Sequence, residues 1–251
     1  MYQEERLLKI LEYLKGHNNM SIHNICEMFS VSRDTARRDI IKLIEQGTAI
    51  RTHGGISLPT LRNTIEAYRE RLKYYSEEKK AISKKAMEFI NEKEHYFFDV
   101  STTVSFLAEY LNKSVTVFTH SLDNIEILSE KKEIVVHSIG GKLHDKNRFF
   151  YKPGCTDYLN GIRFDAAFIG AAAINEDGIY YDDEEDTFVK QAAVKKSDKV
   201  IILTDCKKFK LSSYYKGVNW EQVDVIITDQ RPPEVFMNII EAQDIQLIIC
   251  K

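Results

Sequence analysis

Residues 30–44 read SVSRDTARRDIIKLI, and this stretch decides how the amino-terminal end folds. On a helix turning about 100° per residue, Ala36, Ile40, Leu43 and Ile44 share one face, which must pack inward. Asp34, Thr35, Arg38 and Lys42 occupy the opposite face, with Arg37 on its flank. Ser32 is placed to cap this helix, and Gly47 stops it after Gln46. A face offering Thr and Arg early and Lys later suits a DNA major groove. Arg bonds guanine bidentately, while Thr and Lys reach phosphate or base edges. A solvated charged face would carry the same residues.

The flanking sequence decides between these readings. A first helix from Gln3 to Lys15 has an apolar stripe at Leu7, Ile10, Leu11 and Leu14, broken by Gly16-His17-Asn18-Asn19. A second runs from Ile22 to Phe29, with Ser21 as N-cap and Ile25, Met28 and Phe29 expected inward. Ser30-Val31 then makes a tight turn into the basic helix, which is the helix-turn-helix layout. TAIRTHGGISL (48–58) follows as two short strands around Gly54-Gly55, a hairpin wing. The candidate DNA contacts are Ser32, Arg33, Thr35, Arg37, Arg38, Lys42, Arg51 and His53. Arg38 is favoured for a base and Arg37 for phosphate. Asp39 is expected to hold a neighbouring base such as Arg6, and His53 is either a turn residue or a wing contact.

The whole chain has 251 residues, 43% of them hydrophobic and 29% charged, with a formal net charge of −3. That balance excludes a basic nucleic-acid coat protein and a highly charged disordered chain. The first 58 residues hold eight basic against seven acidic side chains, so placement matters there more than total charge. No apolar run approaches the roughly 20 residues of a membrane span, and the start lacks a signal-peptide pattern. A cytoplasmic protein is expected, with Cys26, Cys155, Cys206 and Cys250 as reduced thiols.

Pro59 marks a boundary, giving a winged helix-turn-helix domain at 1–58, a linker at 59–75 and an α/β domain at 76–251. Past Ser76 a connecting helix carries Ala81, Ile82, Ala86, Phe89 and Ile90 inward, with Lys79, Lys80, Lys84 and Lys85 on a solvated face. Strands are expected at 95–100, 114–119, 133–139, 164–172, 199–205, 223–229 and 245–250. Helices fit 102–111, 122–130, 185–197 and 233–242. This alternation predicts a mostly parallel sheet, with ligands outside the strands' carboxyl ends. Polar clusters stand there: Asp99 to Thr103, where a helix start with three hydroxyls suits an anion, then Thr119-His120-Ser121, Gly140-Gly141-Lys142, Gly170-Ala171-Ala172 and Asp205 to Phe209.

Arg6, Ile10, Leu14, Ser32, Thr35, Ala36, Arg37, Arg38, Asp39 and Ile40 match the spacing of the DeoR family of bacterial transcription regulators, and Arg51-Thr52-His53-Gly54-Gly55 resembles its wing. The carboxyl-terminal clusters resemble that family's sensor domain, so the likeness covers nearly the whole chain. The resemblance implies a second domain similar to ribose-5-phosphate isomerase, double-stranded operator DNA as partner, a phosphorylated sugar as effector, and a homo-oligomer (dimer or tetramer). It implies that Ser101, Thr102 and Thr103 hold phosphate, and that Asp99, Glu185 and Lys208 address sugar hydroxyls or a carbonyl. It pairs Glu185 with Lys190, but for Lys190, on a helix face, a satisfied structural group is the stronger reading. Thr119, His120, Ser121, Gly140, Gly141 and Gly170 complete the effector set. Three positions depart from the family pattern: Ser101 for a glycine, His120 for an asparagine, and Lys210 for a glycine.

An enzyme reading would use Asp99, Glu185 and Lys208 as acid, base and electrostatic partner, but a fold does not carry a function with it. The seven His and four Cys form no ligand-spaced metal group, and no G-x-G-x-x-G follows a strand, so no cofactor is expected. A repressor without catalytic activity, released from its operator by the effector, is the expectation; an activator could share the architecture.

Overall fold

A computed structural model describes residues 3–17, 19–45, 48–52, 55–57, 76–145 and 147–250. The chain divides into two compact units, Met1–Ile65 and Glu66–Lys251.

The first unit begins with α1 (Gln3–His17), β1 (Asn19–Ser21), α2 (Ile22–Phe29) and α3 (Arg33–Glu45), followed by β2 (Ile50–Thr52) and β3 (Gly55–Ser57). Leu7, Ile10, Leu14, Ile25, Ala36, Ile40 and Leu43 form one core, so the helical stripes meet as their spacing requires. Ser21 caps α2 by accepting the Asn24 N–H at 3.0 Å. The turn between α2 and α3 is made by Ser30 in the left-handed region (φ 51°), which closes α2 through a bond to the Cys26 carbonyl. Met28, expected inward, is instead exposed, and Phe29 is only half-buried. An eight-residue helix packed on one side has room for a narrower stripe than the sequence suggested.

The wing has a third strand that the sequence did not announce. The break expected at Gly16 comes later, since α1 runs on through His17; β1 begins at Asn19, the last residue of that segment, and pairs with β3, giving the order β1-β3-β2. Ser21 sits opposite Gly55, and a Cβ at Gly55 would lie 2.2 Å from the Met20 carbonyl oxygen, so only glycine fits. His53 and Gly54 lie outside the described residues.

Below the exposed face of α3 is a buried ion pair. Asp39, fully buried, accepts from Arg6 Nε at 2.5 Å and Nη2 at 3.1 Å, and from Gln3 Nε2 at 3.0 Å. Asp39 therefore sets the position of α3 against α1, as expected of it. Asp39→Ala should lower the stability of this unit by about 3–5 kcal/mol, because Arg6 is left buried without its carboxylate. Urea or thermal melts would measure that loss, and DNA binding should fall with it although Asp39 faces away from solvent.

The second unit opens with α4 (Ser76–Ala86) and a short 3-10 turn, Met87–Phe89. Lys79, assigned above to a solvated face, is buried, whereas Lys84 is exposed. The helix rolls further into the domain than a four-lysine solvated face would allow, and Ser83 donates to the Thr103 carbonyl at 2.7 Å.

Seven strands form one parallel sheet: β4 (His95–Phe98), β5 (Val115–Thr119), β6 (Ile134–Ser138), β9 (Ala166–Gly170), β12 (Val200–Leu203), β14 (Val225–Thr228) and β15 (Gln246–Ile249). These are the seven expected strands, each shortened at its ends, in the order β15-β14-β12-β9-β4-β5-β6. Their period-two alternation fills two cores. Phe97 faces the layer of α7 (Glu184–Val194) and α8 (Glu234–Ala242), while Tyr96 and Phe98 face α4 and α5 (Thr102–Tyr110). α6 (Leu122–Ser129) connects β5 to β6.

From β4 the chain winds outward through β5 to β6, then returns to place β9 on the other side of β4. The reversal makes the carboxyl ends of β4 and β9 a topological switch point, the place where open α/β sheets bind ligands.

Five short strands were not expected. β7 (Lys142–His144) and β8 (Phe149–Tyr151) form a hairpin, and β10 (Ala173–Asn175), β11 (Gly178–Tyr181) and β13 (Tyr215–Val218) form a small antiparallel sheet. Each has three or four residues, too few for alternation to register. The run read as one strand over 164–172 therefore stops at Gly170. No helix among the described residues is long and apolar enough to cross a membrane.

Candidate functional site

On α3, Arg33, Arg37 and Arg38 are exposed, and Arg37 makes only a loose 3.7 Å pair with Asp34. Ser32 is also exposed, but its hydroxyl is used as a cap, accepting the Thr35 N–H at 3.2 Å and meeting Thr35 Oγ1 at 3.0 Å. Lys42 departs from its expected place on the free face: it is half-buried, and its ammonium donates to Gln3 Oε1 at 3.3 Å. Arg51 is in β2, and its side chain lies outside the described residues, as do His53 and the side chain of Lys210. The free cationic face is thus built from three arginines on a helix fixed from beneath by Arg6 and Asp39.

At the switch point of the sheet the structure gathers a buried charged cluster. Asp99 ends β4, and its Oδ2 accepts the Gly170 N–H at 2.8 Å. Lys190 of α7 reaches the same oxygen at 3.4 Å. It also donates to Asp186 Oδ1 and Oδ2 at 2.6 and 2.5 Å. His120, just past β5, lies 2.7 Å from Asp186 Oδ1 through Nε2. Tyr181 closes one side, donating to the Gly170 carbonyl at 2.9 Å while its ring lies 4.6 Å from the Lys190 ammonium. Among the described residues this is the one place where four ionisable side chains meet below one-tenth exposure.

One ammonium faces two carboxylates, and they titrate differently. Burial pushes the Asp186 carboxyl up, but Lys190 and the hydrogen bond from His120 more than offset that and hold it at about 2. For Asp99 burial wins over the attraction of Lys190, and its carboxyl is pushed up. Burial alone would depress Lys190; the two carboxylates reverse this and raise it. Lys190 is therefore a buried, charged member of the cluster, satisfied by Asp186 and Asp99 as the helix-face reading expects.

The hydroxyls expected around the cluster divide by role. Ser101 caps α5 by accepting the Val104 N–H at 3.1 Å. Thr102 and Thr103, at the first turn of α5, are buried beside it, where the helix N–H groups have no intrahelical partners. Thr119 and Ser121 are structural: Thr119 Oγ1 accepts the Ser121 N–H at 3.1 Å, and Ser121 Oγ accepts the Asn124 N–H at 3.2 Å. Asn124 then donates to the Asp99 carbonyl at 2.8 Å, joining β4 to α6.

Other expected members fall outside the cluster. Glu185 is exposed on α7, and the acid paired with Lys190 is its neighbour Asp186, at the i,i+4 spacing that puts both on one side of a helix. That spacing was visible in the sequence. Lys208, half-buried in the 3-10 turn after β12, makes no bond to the cluster among the described residues. Gly141 serves the hairpin and not a ligand: at φ 155° a Cβ there would lie 2.2 Å from the Tyr151 carbonyl carbon. Gly140 meets only Ser138 Oγ at 3.9 Å. Gly170 has a local reason to be glycine, since its Cβ would lie 2.4 Å from that of Ser101. An open groove of about 530 Å³ beside Lys216, Trp220 and Asn238 lies before the amino ends of β14 and β15. Its Asp177 is already paired with Lys216 at 3.0 Å and Tyr180 at 2.6 Å.

A basic helix set in a winged head, joined to a parallel-sheet domain with a buried charged cluster at its switch point, is the layout of a ligand-responsive transcription regulator. The DeoR-like helix-turn-helix domain matches residues 6–62, and the DeoR C terminal sensor domain matches residues 75–230. The HTH-type transcriptional repressor GlcR of Bacillus subtilis is 40% identical over 99% of this chain and 97% of its own. The glycerol-3-phosphate regulon repressor of Escherichia coli is 28% identical over the whole of both chains. Ribose 5 phosphate isomerase A from Neisseria gonorrhoeae is similar over 52% of each chain, with 20% identity and a TM-score of 0.39. The chain belongs to the DeoR family of helix-turn-helix transcription regulators.

Two outcomes follow from the cluster. Asp186, with its depressed pKa, contributes stability that is full above its ordinary value of 3.8 and is lost as pH falls toward about 2. Asp99, with its raised pKa, acts with the opposite sign. At pH 7, Asp186→Asn should cost about 3–5 kcal/mol, and Asp99→Asn should cost less, because burial already disfavours the charged form of Asp99. Melts of both variants at pH 7 check this. Gly170→Ala should destabilise the domain by about 1–3 kcal/mol, and Ser101→Gly in the same chain should restore part of the loss. A double-mutant cycle of melting curves measures the recovery.

Proposed function

We propose that this regulator is a repressor that binds operator DNA through α3 and the wing and is released by a phosphorylated sugar bound at the carboxyl ends of β4, β5 and β9. The observation that carries the reading is the pairing of two unlike sites. One is an exposed arginine face on a helix anchored from below; the other is a buried ionised cluster beside a helix amino terminus. The proposed organisation is a winged helix-turn-helix domain at 1–58, a linker at 59–75 and an effector domain at 76–251. The matched family ranges, which end at 62 and begin at 75, support it.

In the proposed DNA complex Arg38 reads a base, and Arg37 and Arg33 neutralise phosphates. Ser32, Thr35, Arg51 and His53 complete the contact set. In the proposed effector site the phosphate lies against Ser101, Thr102 and Thr103 at the start of α5. Asp99 faces the sugar, with His120 and Gly170 beside it. Thr119 and Ser121 hold that wall. Self-associating effector domains would bring two or four heads to repeated half-sites in the cytoplasm. The effector shifts the equilibrium only by its difference in affinity between the DNA-bound and free arrangements. The descriptions of the two relatives above, both repressors and one of a glycerol-3-phosphate regulon, support repression and a phosphorylated effector.

We read the site as binding rather than catalytic. Of the three groups an isomerase-like reaction would need, only Asp99 is in the buried cluster; Glu185 is exposed and Lys208 makes no bond to it.

Binding to operator fragments selected from genomic DNA, with and without phosphorylated sugars, tests both halves. Arg38→Ala should cost about 1–3 kcal/mol of sequence discrimination. A uniform loss on all sequences would make Arg38 a phosphate contact. Replacing Thr102 and Thr103 with Val should abolish the effector response and leave operator binding unchanged. Loss of operator binding as well would remove the phosphate assignment.

A further inference from the structure

The outward side of α3 is not uniformly charged. At about 100° per residue Ile41 falls between Arg37 and Arg38 in angle. It stands one turn further along the helix, at the i+4 and i+3 positions where side chains are neighbours. The core of this unit takes Ile40, Leu43 and Ile44 from the same stretch and leaves Ile41 out. Its side chain is 47% exposed. Single apolar side chains on a surface are ordinary, so exposure alone carries nothing. The place of this one does.

Three observations set Ile41 apart. Leu8 and Met28, the other large apolar side chains exposed in this unit among the described residues, stand on α1 and α2. Ile41 is on the helix that carries the exposed arginines. Lys42, which follows it, is half-buried and turned toward Gln3 Oε1, so the far turn of the outer face is left to Ile41. Nor can α3 roll to bury it without cost. Asp39 is held by Arg6 and Gln3, and rotation would break that buried pair.

A helix seated in a major groove with Arg37 and Arg38 toward the DNA brings Ile41 to the base edges with them. Isoleucine neither donates nor accepts a hydrogen bond, so a phosphate gives it nothing. Covering the polar edge of a base with it would leave that edge unpaired. The major groove offers one apolar group, the C5-methyl of thymine. We propose that Ile41 is a specificity-determining residue that reads a thymine by packing on its C5-methyl group. This rests on the reading of α3 as the helix that enters the major groove. A helix rises about 1.5 Å per residue and successive base pairs about 3.4 Å, so the thymine lies about one to two base pairs from the pair that Arg38 faces.

The test removes only the methyl group. Operator duplexes selected by the full chain are remade with each thymine replaced in turn by deoxyuridine, and binding is followed by fluorescence anisotropy. At one thymine in each half-site the replacement should weaken the unaltered protein about fourfold, the effect of one buried methyl group. In Ile41→Ala the same replacement should have no effect, because the partner of the methyl group is gone. Melting curves should show Ile41→Ala folded as the parent is, since the side chain lies outside the core. If no deoxyuridine weakens binding, or if it weakens both proteins equally, the assignment of Ile41 is overturned. The reading of α3 as the DNA helix then still stands, provided Arg38→Ala weakens binding. If neither Arg38→Ala nor Ile41→Ala changes affinity or sequence preference, the placement of α3 in the groove falls too, and the DNA half of the proposed function with it.

Discussion

Lys190 carries a single positive charge into a place where two carboxylates have already been buried, and much of the effector domain is arranged around that fact. Through Asp99 it is tied to the end of β4, and through Gly170 to the end of β9. Asp186 and His120 extend the same network to α7 and to the end of β5. A buried ion pair adds little net stability over a well-packed apolar substitute, but breaking one is costly. The cluster therefore holds three adjacent strand ends, those of β9, β4 and β5, and one helix in a single arrangement, at the point where the strand order reverses.

The amino-terminal unit uses a related device to a different end. Asp39 is buried under α3, with Arg6 and Gln3 filling its acceptor positions, and neither of its oxygens is left unpartnered. A fully satisfied network rigidifies and presents the arginine face in a fixed register. In the second unit Asp99 Oδ1 and His120 Nδ1 have no hydrogen-bond partner, so its buried network is less complete than that of the first.

Local pattern carried most of the fold. The seven parallel strands, the four helices between them, the helix-turn-helix and the caps at Ser21 and Ser32 follow from periods of 2 and 3.6 and from capping chemistry, which act over a few residues. The three-residue strands β1, β7, β8 and β10 were silent because their pairing partners, not their own alternation, make them strands. Lys79 and Met28 were misplaced for a similar reason: the rotation of a helix about its axis is set by the surface it packs on. In the site, Asp99, Ser101 and His120 were legible as strand-end polar groups. Asp186 was passed over for Glu185, although its i,i+4 relation to Lys190 could have been counted.

The sequence alone determined the two-domain class, the basic recognition helix and the positions of the strand ends, because each depends on neighbours close along the chain. Tertiary structure decided which acid faces Lys190, that Gly170 must lack a side chain to admit Ser101, and that Lys42 turns toward Gln3. It also decided which oxygen of Asp99 and which nitrogen of His120 go without a partner. These are matters of ångströms between residues up to 91 positions apart, as Asp99 and Lys190 are. No local period encodes such a distance; only the closed packing of strands and helices sets it.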